Sequence, residues 1–500
     1  MSDAFRSLPV FPDLRAFLSW TAAEKNLAVL PDRVDLRHEM TAFQQAALRA
    51  GGPVLRFNCA HLDGQPATMP VIGNLFGTEA RVAAGLGVRP EGIADLGAFL
   101  AALRTPAPVD GWRDALSRWP VLRAALQSRP ALVKHAPAQQ ETAPTDLTRL
   151  PVQIPWPGDA GPLITWPVVI TRPHGSEARD TARYNLGVYR AQVIGPDRMI
   201  LRWLSQRGGA AHARSWAAAA EPMPVVVALG ADPALLLSAA LPLPETVSEL
   251  AFSGVLRGAR PQITPAQTVP MLAPATAEIL IEGFVHPGDT AMEGPFGDHT
   301  GYNNPAEAYP VLQVTRITHR RDPLYLTTVT GRPPDEPSVI GGVFNQLALP
   351  SMRAQIPELR DLWLPPAACS YRMAVVQIAK RYPGQARRVM MALWGMLAQF
   401  SYTKMIVVVD EDINPRNWDD IAWALSTRFD PARDTLLMDG TPMDHLDFSA
   451  PRMGLAGKIG LDATTKIGAE TGRGWAEIIR PDPAHAARAE AVLRAAGWGA

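Results

Sequence analysis

Only two cysteines, Cys59 and Cys369, occur in 500 residues, too few for a disulfide framework or a thiolate metal cage. Charge of neither sign predominates: Lys+Arg and Asp+Glu number 48 each. No polyanion-binding surface is implied, and no nucleic-acid partner is expected. The first residues, Met-Ser-Asp-Ala-Phe-Arg-Ser, lack a basic region followed by an apolar run, so no signal peptide is read there. The most apolar stretch, Val225 to Pro244, is broken by Asp232-Pro233 and closed by Pro242 and Pro244. It reads as a strand, a turn and a short helix in a core, not as a membrane span. A cytoplasmic soluble protein is expected. Nucleotide-loop, dinucleotide-fold, serine-hydrolase and zinc-protease motifs are absent, as is any C-x-x-C. The ten histidines form no pair at the i, i+4 spacing of a helical metal site.

The length is enough for two to four domains and a large core. Residues 13–27 carry helical spacing, with Leu14, Phe17, Leu18 and Ala22 on one face. Eight prolines fall between Pro130 and Pro167, which favours an extended connector. Beyond it the chain alternates apolar and polar residues as strands do. A hairpin is expected from Leu186–Ile194, a Gly195-Pro-Asp turn and Arg198–Leu204, and a second β-rich block covers Ala277–Phe284 and Tyr309–Val329. After Gly331 the pattern becomes α/β: a helix from Pro383, a buried parallel strand Met405–Asp410, and a helix capped by Asn417. The expected fold is α+β and multidomain. It comprises an N-terminal α/β region (1–130), a β-rich middle (131–330), a C-terminal α/β domain (331–480) and a terminal helix (481–500). Residues 484–497 form an amphipathic stretch suited to covering a partner subunit or lying at a membrane surface.

The most informative stretch is Glu293-Gly-Pro-Phe-Gly-Asp-His-Thr-Gly-Tyr302. It sets two carboxylates, Glu293 and Asp298, across a turn that Pro295 stiffens and two glycines let bend. Two neighbouring acids take different pKa values, so one can stay protonated as a proton donor; a solvated surface turn is the bland alternative. In Asn185-Leu-Gly-Val-Tyr-Arg190, the cation Arg190 lies among apolar residues. It reads either as a structural ion pair or as a bidentate clamp for an anion. Arg202-Trp-Leu and Arg207-Gly-Gly add cations, an aromatic face and freed backbone amides, a set that suits a phosphate and a flat ring such as a flavin nucleotide. Glu249 and Asn185, with a phosphate oxygen, would make a hard oxygen site for Mn2+ or Mg2+. Glu249 alone also reads as a solvated helix-start acid, and Lys404 as a strand-edge lysine.

Together these passages resemble the UbiD family of decarboxylases along nearly the whole chain. Within it they look most like the 3-polyprenyl-4-hydroxybenzoate branch of ubiquinone biosynthesis, on Arg202-Trp-Leu-Ser-Gln-Arg-Gly-Gly, Gly331-Arg-Pro-Pro-Asp-Glu-Pro, Tyr402-Thr-Lys, Arg428-Phe-Asp-Pro-Ala-Arg-Asp-Thr and Gly460-Leu-Asp-Ala-Thr. The resemblance implies prenylated FMN in a split β-barrel, supplied by a prenylated-flavin synthase. It also implies Mn2+ or another divalent cation on Asn185 and Glu249, with K+ as a further cation and His212 as a candidate third ligand. Val188, Tyr189, Arg190, Arg202, Trp203, Leu204, Arg207 and Gly208 would line the cofactor, with Lys404 near its phosphate. Arg190, Glu293 and Asp298 would be the catalytic set, and Asp298 would protonate the carbon that loses CO2. A homo-oligomer, dimer or hexamer, is implied as well. The alternatives are the same chemistry on another small aromatic or heteroaromatic acid, a flavin-binding protein without lyase activity, and a structural partner in an assembly.

Overall fold

The computed structural model describes residues 6–104, 119–205, 207–243, 247–369, 371–396 and 398–498. Near the N-terminus, helix α1 (Leu14–Ala23) starts on an Asp13 cap that accepts from Ala16 N–H. It buries Leu14, Phe17, Leu18 and Thr21. Ala22, expected on that face, is exposed instead, because Thr21 turns inward and donates to the Leu18 carbonyl. The strands that follow build a five-stranded sheet whose last member, Tyr325–Leu326, comes from far along the chain. The N-terminal region and the β-rich middle thus share a sheet as well as a hydrophobic core.

The middle of the chain is a curled sheet. Eight strands lie on one path: β1 (Leu163–Ile164), β2 (Val168–Thr171), β3 (Asn185–Val188), β4 (Ala191–Val193), β5 (Arg198–Leu201), β6 (Met223–Leu229), β7 (Ile279–Glu293) and β8 (Glu307–His319). Their order is β1-β4-β5-β8-β7-β6-β2-β3, and a ninth strand, Glu141–Ala143, pairs with β8. Consecutive strands β3, at one end of the path, and β4, next to the other end, are joined only by Tyr189 and Arg190. Two residues span at most roughly 11 Å between Val188 and Ala191, so the sheet must curl until its ends nearly meet. Among the described residues no ladder closes the gap, which makes this an open half-barrel. The expected hairpin is correct in its inner part, where Ala191, Gln192 and Val193 face Leu201, Ile200 and Met199. Its outer part is not: Asn185–Val188 pairs with β2. Arg190 lies in the seam rather than mid-strand, since its guanidinium can be buried only where carboxylates reach it.

Between sheet strands, helix α2 (Gly208–Ala218) follows β5. The apolar stretch after it is, as read, strand β6, an Asp232 cap and a short helix, Pro233–Ala240. Helix α3 (Glu249–Arg257) is capped by Ser248 and closed by Gly258 in the left-handed region. The C-terminal part is a five-stranded sheet in which Met373–Ile378, Met405–Asp410 and Leu455–Ala463 run parallel, flanked by antiparallel edges. The helices expected there form over Gln385–Met396 and, behind Asn417, over Trp418–Thr427. The terminal helix, Pro483–Ala495, buries none of its residues. No described helix is long and apolar enough to cross a membrane.

Candidate active site

Glu293 ends β7 with no exposed surface. The loop after it folds as a miniature hairpin in which Phe296-Gly297 pairs with Asn303-Asn304. Gly294 (φ 90°) and Gly301 (φ 82°) take the left-handed backbone this path requires. Gly297 is needed for space: a Cβ there would lie 2.3 Å from Trp156 Cδ1. Two side chains pin the loop's amides, as Gly294 N–H donates to Gln192 Oε1 and Gly297 N–H to Asp159 Oδ1, both at 2.9 Å.

Arg190 reaches this loop from the sheet seam. Its Nε donates to Glu293 Oε1 at 2.7 Å and Nη2 to Glu293 Oε2 at 3.1 Å, while Nη1 donates to Asp298 Oδ2 at 2.9 Å. Asn304 Oδ1 accepts from Nη2 at 2.8 Å, and Phe296 lies beneath the guanidinium. Arg202, expected only to line the cofactor, stands 3.7 Å from Glu293 Oε2 and 3.9 Å from Asp298 Oδ2. Two guanidinium groups thus face two carboxylates, which is what makes burying all four tolerable. The remaining Asp298 oxygen, Oδ1, accepts from both His299 Nδ1 (2.9 Å) and His299 N–H (2.8 Å). Burial by itself would raise the Asp298 carboxyl. The His299 bond and the charges of Arg190, His299 and Arg202 outweigh it and hold the group well below the usual carboxylate range. Asp298 is thus held as an anion by its own donors.

A second cluster lies on β3 and the helices beside it. Asn185 packs so closely on the first turn of α2 that a Cβ at Gly208 would sit 2.1 Å from its Oδ1. The Tyr189 hydroxyl accepts from Asn185 Nδ2 at 3.4 Å and Gly209 N–H at 3.5 Å, and its ring meets Trp203 edge-on. Arg207 caps α2, whose first turn presents Gly208 and Gly209. Leu204 joins the small apolar cluster of Ile200, Tyr309 and Val311. Val188 ends β3, half-buried.

Glu249 opens α3, and its Oε2 accepts from Leu186 N–H at 3.0 Å. Burial pushes its carboxyl up against the pull of the Leu186 amide and its own. Among the described residues no Lys, Arg or His pairs with it. His212 on α2 contacts Thr171 Oγ1 through Nδ1 at 2.9 Å, and Thr171 pairs with Asn185 across β2 and β3. Burial and the nearby Arg183 push His212 down to about 4, so it is neutral at pH 7. Among the described residues no three His, Cys, Asp or Glu side chains gather at metal-binding distance. What does line β3 and the helices beside it is a half-buried carboxylate without a cationic partner among the described residues, an amide oxygen at the α2 N-terminus and a neutral imidazole. That set fits a hard cation together with a phosphate.

Lys404 belongs to the C-terminal domain. It begins the Met405–Asp410 strand and pairs with Asp447 at 2.8 Å and with Ser449. Gln206, and Pro244, Glu245 and Thr246 of the Glu249 motif, lie outside the described residues. The sequence reading missed several neighbours of the acids. His299 and Asn304 lie in or beside the acidic loop, and Gln192 lies in β4 two residues past Arg190. Tyr371 and Asp444 come from the C-terminal domain. The Tyr371 ring stands 6.1 Å from that of His299, and its hydroxyl donates to Asp444 at 3.0 Å. No local signal pointed to that pair.

Comparison with known proteins places this geometry. Residues 18–100, 129–333 and 338–463 match, in order, the N-terminal, Rift-related and C-terminal domain models of 3-octaprenyl-4-hydroxybenzoate carboxy-lyase. Among solved structures, the UbiD-class enzyme HmfF from Pelotomaculum thermopropionicum, in complex with FMN, is 29% identical. That match covers 95% of this chain and 98% of that one, with a TM-score of 0.78. An evolved dimeric form of HmfF with prFMN is 28% identical, at TM-score 0.75 with 94% and 97% covered. The vanillic acid decarboxylase of Sedimentibacter hydroxybenzoicus, in closed form, shares the fold at 24% identity, TM-score 0.81 and 97% and 99% coverage. The 3,4-dihydroxybenzoic acid decarboxylase of Enterobacter cloacae does so at 23%, 0.76, and 96% and 99%. These solved relatives are not of the ubiquinone branch that the sequence passages favoured. With all three domain models matched in sequence order and the fold shared end to end, the chain belongs to the UbiD family of carboxy-lyases.

Proposed function

We propose that the protein removes CO2, without oxidation, from a small aromatic or heteroaromatic acid, using prenylated FMN and a divalent cation. The observation that carries the reading is Arg190, which grips Glu293 and Asp298 at once from the sheet seam. Support for the cofactor comes from the likeness to HmfF, a protein seen with FMN and with prFMN. Further support comes from the α2 N-terminus beside Asn185 and Glu249. Asn185, Glu249 and His212 would hold the cation, preferentially Mn2+, against a phosphate at Gly208 and Gly209. Tyr189, Trp203 and Arg202 would border the ring system, and the Trp203 Nε1 and Arg202 Nε groups are buried without hydrogen-bond partners. Bound there, prenylated FMN supplies the electron sink that an aromatic ring lacks for charge in its own plane.

The chain's own residues do the rest. Arg190 fixes the two carboxylates relative to each other and offers cationic surface to a substrate carboxylate. Breaking the C–C bond releases CO2 and leaves the electron pair on the ring carbon. Asp298, once protonated, delivers a proton to that carbon, and Glu293 keeps Arg190 aimed. Assembly into a homo-oligomer is part of the proposal. The terminal helix buries nothing and exposes Val492 and Leu493, Trp498 after it is exposed as well, and Ile479 just before it is 99% exposed.

The test is production with and without a prenylated-flavin synthase, followed by measurement of CO2 release from vanillic, 3,4-dihydroxybenzoic, furoic and 3-polyprenyl-4-hydroxybenzoic acids. Turnover of a small acid only after co-production supports the proposal. Turnover of the polyprenyl acid alone would return the substrate to the ubiquinone branch. Flavin binding without CO2 release from any acid would favour a non-lyase role.

A further inference from the structure

Asp298 receives three N–H donors, Arg190 Nη1 at 2.9 Å and the side chain and backbone of His299 at 2.9 and 2.8 Å, and the Arg202 guanidinium adds a charge 3.9 Å away. A carboxylate so surrounded has no proton to give, and guanidinium groups do not release theirs. The one donor on Asp298 that titrates near neutral pH is the imidazole of His299. Its other nitrogen, Nε2, is buried and has no hydrogen-bond partner. Each element packed against the ring adds charge. Asp298 lies on its own loop, with Arg190 and Arg202 behind it. Asp335 caps the helix Glu336–Gln355, and Tyr371, Arg372 and Asp444 belong to the C-terminal domain. Arg372 Nη2 and the Tyr371 hydroxyl both donate to Asp444, at 2.7 and 3.0 Å, which sets the Tyr371 ring against His299.

We infer that His299 is the positioning residue that charges Asp298 for each turnover, passing it the proton that reaches the substrate carbon. The inference rests on Asp298 being the donor. The imidazolium releases Nδ1–H to Asp298 Oδ1 and becomes the neutral Nε2–H ring; Asp298 then gives its proton to the carbon that has lost CO2. After product leaves, the ring regains a proton from solvent at Nδ1, so one solvent proton enters for each CO2 released. Burial lowers the basicity of His299, but the bond and charge of Asp298 and the charge of Asp444 exceed that effect and the opposition of Arg372. The imidazolium thus persists above the ordinary histidine range.

Two measurements test this. In the cofactor-free protein labelled with 13Cε1-histidine, the His299 resonance is assigned by its loss in His299→Gln or His299→Asn. Its titration midpoint should lie above about 6.5 and fall in Asp298→Asn. In the loaded enzyme, kcat should decline on the alkaline side with that midpoint. His299→Gln should abolish that limb and lower kcat at least about 10-fold, with KM nearly unchanged. A midpoint at or below the ordinary value that ignores Asp298→Asn overturns the inference, as does wild-type kcat and pH profile in His299→Gln. Full turnover by Asp298→Asn would instead remove the donor role of Asp298 itself, whatever the His299 titration shows.

Discussion

Arg190 and Glu293 meet through two nearly parallel N–H···O bonds, 2.7 and 3.1 Å long, with the carboxylate wholly enclosed. A fork of this kind cannot be made by lysine, whose ammonium is a point charge. Removing Arg190 leaves Glu293 with Arg202 at 3.7 Å as its remaining cation. Arg190→Ala should therefore lower stability by about 3–5 kcal/mol, because breaking a buried pair strands a charge. Glu293→Gln keeps the volume and should melt near wild type, yet lose turnover at least about 100-fold. Thermal melts and CO2 release on the same preparations check both. Equal melting of wild type and Arg190→Ala would show that the pair bears no structural load.

The acidic loop depends on Trp156. This ring fills the space beside Gly297 and Gly331, where added Cβ atoms would lie 2.3 and 2.6 Å from its atoms, and its Nε1 donates to the Thr330 carbonyl at 2.9 Å. Gly297→Ala must displace the indole or the loop, and overpacking of this kind costs about 1–3 kcal/mol. Because Asp298 is the next residue, turnover should fall further than stability alone explains. Trp156→Phe in the same chain should recover part of both. A Gly297→Ala protein with unchanged melting and rate would mean that the loop yields freely.

The alternating and helical periods made most elements legible in the sequence, as with β6 and its Asp232-capped helix. Periodicity reports which face of a segment is buried but not which strand lies beside it. Hence Asn185–Val188 could not be told from a hairpin arm, although it pairs with β2. The acids and Arg190 were visible as chemistry in apolar or glycine-rich company. The place of Arg202 beside them was not, since it follows from sheet curl. Tyr371 and Asp444 were least visible of all: they reach His299 from the C-terminal domain across long stretches of chain, and no local pattern encodes that docking.

Glu336 offers a pH test independent of catalysis. It is fully buried behind the acidic loop's neighbours and accepts from Phe76 N–H and the Thr328 hydroxyl. Burial pushes its carboxyl up to about 7, against those bonds and the charge of buried Arg81. Between the ordinary value of 4.5 and about 7, the folded protein keeps a proton that the unfolded chain has lost. Stability contributed at this position is thus present at low pH and lost as pH rises through that window, on the order of 3 kcal/mol. Urea unfolding at several pH values should show wild type losing more stability than Glu336→Gln across it. Parallel curves for the two proteins would argue against a protonated Glu336.

Glu249 gives the sharpest test of the proposed cation. Its carboxylate is half-buried, bonded to a backbone amide, and lacks a cationic partner among the described residues. Such a group is costly alone and becomes favourable with a divalent ion. Glu249→Gln removes the charge while keeping the Leu186 bond, so the fold should persist or gain stability in the metal-free protein. Metal affinity should drop at least about 10-fold, and somewhat less in His212→Ala if the imidazole is a ligand rather than a support for Thr171. Flavin should then elute more readily on dialysis, because the phosphate loses its counter-charge. Metal content by mass spectrometry and flavin absorbance before and after chelation distinguish the cases. Glu249→Gln protein that holds as much Mn2+ as wild type would show that the carboxylate serves α3 alone.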